Sequence, residues 1–74
     1  MKATNNNRRA GNNIILATKD GQTSYYNWYA DGLIPEKENA SGYDTKGDAK
    51  YVIEQLVTEI PGYTWTTVLD KPGV

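Results

Sequence analysis

The chain has 74 residues, eight basic and nine acidic side chains, a net charge of −1 and neither cysteine nor histidine, which excludes disulfides and a zinc staple alike. A chain this short buries only about 60% of the surface its unfolded form exposes, so self-association is its usual route to added stability. No apolar run nears the ~20 residues that span a bilayer, and the start lacks the apolar segment of a signal peptide, so a cytoplasmic location is expected.

The charge is unevenly spread. Residues 1–19 carry Lys2, Arg8, Arg9 and Lys19 and no acid, whereas residues 20–74 carry all nine acids against four lysines, a balance of −5. Residues 1–12 are polar and Asn-rich without apolar periodicity, which predicts a flexible basic arm. One domain is expected over 13–69, with 70–74 as a tail.

From Asn13 the chain turns apolar, with Ile14, Ile15, Leu16 and Ala17 in a first strand. Asp20-Gly21 then supplies the pair that a two-residue type I′ hairpin turn needs, because both residues take positive φ. Thr23 to Ala30, dense in tyrosine and tryptophan, reads as the second strand, closed by Asp31-Gly32. Leu33 to Tyr43 holds Pro35, the charged Glu36-Lys37-Glu38 and Ser41-Gly42, and reads as a long surface loop. Asn39-Ala40-Ser41 within it is formally a glycosylation sequon and is taken as chance.

Thr45 is a good N-cap, with Asp48 three residues on as an imperfect capping box. Ala49, Val52, Ile53, Leu56, Val57 and Ile60 fall at helical spacing and, at ~100° per residue, share an arc of roughly 140°. Pro61-Gly62 stops the helix. Tyr63 to Leu69 alternates with threonine as the third strand. The order β-β-α-β with a right-handed crossover predicts an α+β fold: a three-stranded antiparallel sheet, order 2-1-3, with one amphipathic helix on one face.

The turn fixes a register in which Lys19 opposes Gln22, Thr18 opposes Thr23, Ala17 opposes Ser24, Leu16 opposes Tyr25, Ile15 opposes Tyr26 and Ile14 opposes Asn27. Opposed residues share a face and successive residues alternate. One face then holds Ile15, Ala17, Ser24, Tyr26, Trp28 and Ala30, whose small members let a helix approach, with Trp65 and Leu69 completing that core. The other holds Ile14, Leu16, Thr18, Thr23, Tyr25, Asn27 and Tyr29. One helix covers one face, so Ile14, Leu16, Tyr25 and Tyr29 are expected to form an exposed patch of interaction-site scale. The competing expectation is that the 33–43 loop folds over it.

Without histidine or cysteine, the commonest general base and covalent nucleophile are missing. Asp44 with Asp48, or Glu36 with Glu38, read as a helix start and a solvated loop rather than as catalytic pairs. No glycine pattern cradles phosphate and no calcium-loop spacing occurs, so neither cofactor nor metal is expected. Tyr51 falls on the polar side of the helix.

The expected function is therefore a non-enzymatic protein–protein interaction module, homodimeric through Ile14, Leu16, Tyr25 and Tyr29, with an acidic surface left for a further protein partner. A short, cysteine-free, Asn-rich chain of this kind resembles small phage or mobile-element accessory proteins, which implies an inhibitor of host machinery. The alternative is nucleic-acid binding, with Arg8 and Arg9 on the arm and Tyr25 and Tyr29 stacking bases. In layout the β-β-α-β order resembles the small DNA-binding domains of phage integrases, whose sheet enters the major groove. The exposed-face residues here are not basic, however, and a −5 body repels phosphate.

Overall fold

The computed structural model of the chain describes Arg8 and residues 10–70. Strand β1, Asn13–Lys19, and strand β2, Gln22–Asn27, form the expected hairpin. Asp20 and Gly21 both sit at positive φ, 53° and 80°. The pairs Lys19–Gln22, Thr18–Thr23, Ala17–Ser24 and Leu16–Tyr25 form as the turn dictates.

The pairing goes no further. β2 ends at Asn27 rather than Ala30, because the Asn27 Oδ1 accepts from the Ala30 N–H at 2.8 Å and folds Trp28–Asp31 into a turn, a habit of asparagine at strand ends. Strand β3, Gly32–Ile34, then returns along β2, with Tyr25–Ile34, Tyr26–Leu33 and Asn27–Gly32 paired.

Residues 33–43 are thus not an irregular loop. After β3 they make a 3₁₀ turn, Lys37–Asn39, and strand β4, Gly42–Tyr43. β4 pairs with the start of β1, Asn13–Tyr43 and Ile14–Gly42. It takes the edge that Asn27 was expected to occupy opposite Ile14.

Helix α1, Lys46–Glu59, opens as expected: the Thr45 Oγ1 accepts from the Asp48 N–H at 3.0 Å. Thr45→Ala is expected to lose about 1 kcal/mol of stability, read as a shift of the urea midpoint without a change in slope. Strand β5, Thr64–Leu69, pairs antiparallel with β1 from Asn13–Leu69 to Thr18–Thr64. The predicted neighbours of β1 are therefore present, but the sheet is a curled antiparallel one of five strands, order β3-β2-β1-β4 with β5 on the other edge of β1.

The helix packs on the predicted face. Ile15, Ala49 and Leu56 form the buried centre, ringed by Tyr26, Tyr43, Val52, Ile53, Ile60 and Trp65. A fully buried leucine or isoleucine contributes roughly 1.5–3 kcal/mol, so this small cluster is a large share of the driving force. Trp28 and Ala30, expected on this face, are carried off it by the turn after β2, and Val57 and Leu69 also stand outside the cluster. Val57 is 44% and Leu69 59% exposed. Val57 lies at one end of the helical arc, and Leu69 pairs with Asn13 at the far end of β5, past the residues that the helix overlies.

Candidate interaction surface

The sheet face turned away from α1 can be built row by row from the pairing. Its middle row runs Ile34, Tyr25, Leu16, Thr66 across β3, β2, β1 and β5. Ile34, Tyr25 and Leu16 are half-buried and Thr66 is exposed. A second row is all threonine, Thr23, Thr18 and Thr64, with the Thr18 and Thr23 hydroxyls 3.5 Å apart. The third row, Gly42, Ile14 and Val68, is covered at its Gly42 side.

That cover comes from the N-terminal stretch. A side chain on Gly42 would point at the Gly11 carbonyl oxygen, with the Arg8 Cδ 2.9 Å away, so Gly11 and the Arg8 side chain lie over the face there. Ile14, expected in the exposed patch, is completely buried. A two-fold alternation fixes the side a residue faces, but not what lies over it.

Arg8 anchors this cover, and it does so with every branch of its guanidinium. Its Nε donates to the Ala40 carbonyl at 2.8 Å, Nη1 to the Asp70 carbonyl at 2.7 Å, and Nη2 to the Lys37 carbonyl at 3.0 Å and to Asp70 Oδ2 at 3.1 Å. Its side chain is only 6% exposed. Arg8, expected on a free arm and offered to phosphate in the nucleic-acid reading, is thus occupied internally. Asp70, expected in a tail, closes the clamp: it also meets Lys37 at 3.2 Å, and its N–H donates to the Asn12 carbonyl at 2.8 Å. Burial on its own would raise the Asp70 carboxyl. The hydrogen bonds and charges of Lys37 and Arg8 outweigh it and hold the group below its ordinary value. Arg9, residues 1–7 and residues 71–74 lie outside the described residues.

The 35–41 segment is also pinned on the β2 side, at the same end of the sheet. The Asn27 Nδ2 donates to the Asn39 carbonyl at 2.6 Å. The buried Ser41 donates its N–H to the Tyr26 carbonyl and accepts the Trp28 N–H at its Oγ, both at 2.9 Å. The polar groups set loose where β2 leaves β1 thereby find partners.

Of the four residues expected to form the patch, the structure brings Leu16 and Tyr25 together, buries Ile14, and moves Tyr29 off the strand. Tyr29 sits in the Trp28–Asp31 turn, 59% exposed and tilted against Trp28 at 5.8 Å. The residues missed are Ile34, Thr64, Thr66 and Val68. Ile34 had a readable signal: the short run between Asp31-Gly32 and Pro35 fits an edge strand, since proline is tolerated beside edges. Thr64, Thr66 and Val68 needed the β1–β5 register, which no local pattern supplies.

The open rows of this face carry no charge; the Arg8–Asp70–Lys37 clamp borders them beyond Val68. Leu16, Thr18, Thr23, Tyr25, Ile34, Thr64, Thr66 and Val68 are all neutral. At ~4.8 Å between strands and ~6.6 Å between rows, the exposed rows span on the order of 200 Å². The phenols behind it are packing groups: burial, then Tyr26, raises the Tyr43 hydroxyl well above its ordinary value. Burial, then Asp31 and Glu59, raises that of Tyr26. Neither is poised as a base near neutral pH.

No protein-family model, no curated protein and no solved structure matches the chain.

Proposed function

We propose that this protein is a non-catalytic interaction module that pairs with a second copy of itself through the open sheet face. The observation that carries this reading is the unbroken neutral surface of the Ile34, Tyr25, Leu16, Thr66 row and its flanking threonines. In a chain with 23% charged residues, adjoining rows without any are a surface that a like-charged copy can approach at little electrostatic cost. Two such sheets pack ~10 Å apart, giving a helix–sheet–sheet–helix sandwich. The two faces supply its dry centre, and the rim must extend it, because stable interfaces bury about 800 Å² per partner.

The test is solution mass by light scattering over a range of concentrations. The unaltered chain is expected at the mass of two copies. Tyr25→Ala with Thr66→Glu brings two like charges together across the interface and removes its aromatic anchor. It is expected to weaken association at least about a hundredfold, with far-ultraviolet circular dichroism unchanged. A single-chain mass at all concentrations, or a dimer indifferent to the double change, overturns the reading.

A further inference from the structure

A second surface lies at the free edge of β5, and its chemistry differs from that of the open face. Among the described residues β5 pairs with β1 alone. The Asp70 N–H to Asn12 carbonyl bond sets the phase of that ladder. In an antiparallel pair, bonded and non-bonded positions alternate. Position 70 is bonded, so Val68, Thr66 and Thr64, two, four and six residues back, also turn their main-chain groups toward β1. Trp65, Thr67 and Leu69 turn theirs outward, where an added strand would meet them.

The edge is also unguarded. Natural edge strands are blunted with charge, proline or bulges. Thr64-Trp65-Thr66-Thr67-Val68-Leu69 has no charge and no proline, and its register with β1 is continuous over all six residues.

A groove of about 420 Å³ runs beside it, between β5 and α1, with Trp65 and Ile53 on its floor and Lys46, Lys50 and Glu54 on the helical wall. Val57, exposed against expectation, lies on that same stripe of the helix. Neither Lys46 nor Lys50 forms an ion pair among the described residues, whereas Lys37 is held by Asp70. Two lysines outside any ion pair therefore converge on one groove, against the single carboxylate of Glu54, in a body whose balance is negative.

We infer that the β5 edge is a docking site for an extended acidic segment of a partner protein, which adds as a strand beside Trp65, Thr67 and Leu69. Main-chain bonds to those residues supply the pairing. Side chains of the added strand that fall on the helix side lie along Trp65 and reach Lys46 and Lys50, where carboxylates are favoured. The N-terminal residues of the chain itself do not suit the site, because residues 1–19 contain no acid.

The test titrates the isotope-labelled protein with an end-blocked eight-residue peptide of alternating valine and glutamate, and with its valine–lysine counterpart, by amide NMR. The acidic peptide is expected to shift the amides of Trp65, Thr67 and Leu69. Lys46→Glu with Lys50→Glu is expected to weaken it at least about tenfold. Thr67→Pro removes a donor only from the open side, where proline is tolerated, and is expected to abolish binding. The lysine changes leave β5 intact, so they decide the matter even if the proline variant fails to fold. Equal binding of the lysine peptide overturns the inference, as do shifts confined to Leu16, Tyr25 and Ile34. Concentration-dependent shifts at Trp65 and Thr67 without peptide also overturn it, by giving the edge to a second copy.

Discussion

Arg8→Ala is expected to cost about 3 kcal/mol of folding stability, the scale for breaking a buried, hydrogen-bonded charge pair. The loss has three parts. The carbonyls of Lys37, Ala40 and Asp70 lose their shared donor, the Asp70 carboxylate loses one of its two cations, and the cover over Gly42 loses its anchor. Arg8→Lys restores the charge but not the planar fork, so it is expected to recover less than half of the loss. Urea unfolding of the three proteins measures this; a cost for Arg8→Ala below about 0.5 kcal/mol, the level of an ordinary surface change, would sink the clamp as a structural unit.

The same clamp sets an acid limit. The folded-state pKa of Asp70 is depressed, so its contribution is fully present above the unfolded-state value and is lost as pH falls through the folded one. The stability difference between the unaltered chain and Asp70→Asn is therefore expected to hold at neutral pH and to shrink below about pH 4.

What the sequence made legible was local. Asp20-Gly21 fixed four strand pairs because a two-residue turn leaves no freedom in register. Thr45 and Pro61-Gly62 bounded the helix because caps and stops act within one turn. The side facing the helix was legible too, from the alternation of Ile15, Ala17, Ser24 and Tyr26. What stayed hidden was everything set by partners far along the chain. β4 is two residues long, too short for any period to show, and it exists because Asn27 diverts β2 and leaves an edge of β1 to be filled. Arg8 carried no signal at all: an arginine among asparagines looks solvated, and its acceptors lie 29 to 62 residues away. The candidate surface was correspondingly half-read. Leu16 and Tyr25 follow from the hairpin, whereas the burial of Ile14 follows from the cover that Arg8 and Gly11 provide.

Gly42→Ala tests that cover from the other side and is expected to cost about 3 kcal/mol, the upper end for overpacking, which lowers the Tm of so small a domain by roughly 15 °C. A methyl group there meets the Gly11 carbonyl oxygen and the Arg8 side chain. The backbone cannot simply withdraw, because the Gly11 N–H is bonded to the Arg8 carbonyl at 3.0 Å, so moving Gly11 drags the guanidinium off its acceptors. Gly47→Ala is the contrasting change, since its nearest neighbour is the Thr45 Oγ1 at 3.8 Å and alanine is the better helix former; it is expected to leave stability unchanged or raise it slightly. If the methyl acts by lifting Gly11 and Arg8, then once Arg8 is alanine the anchor is already gone and the second change has less to break. The double variant Arg8→Ala with Gly42→Ala should then lose clearly less than the two single losses combined. Full additivity would mean that the arginine and the glycine stabilise separate parts of the fold, and that the burial of Ile14 depends on only one of them.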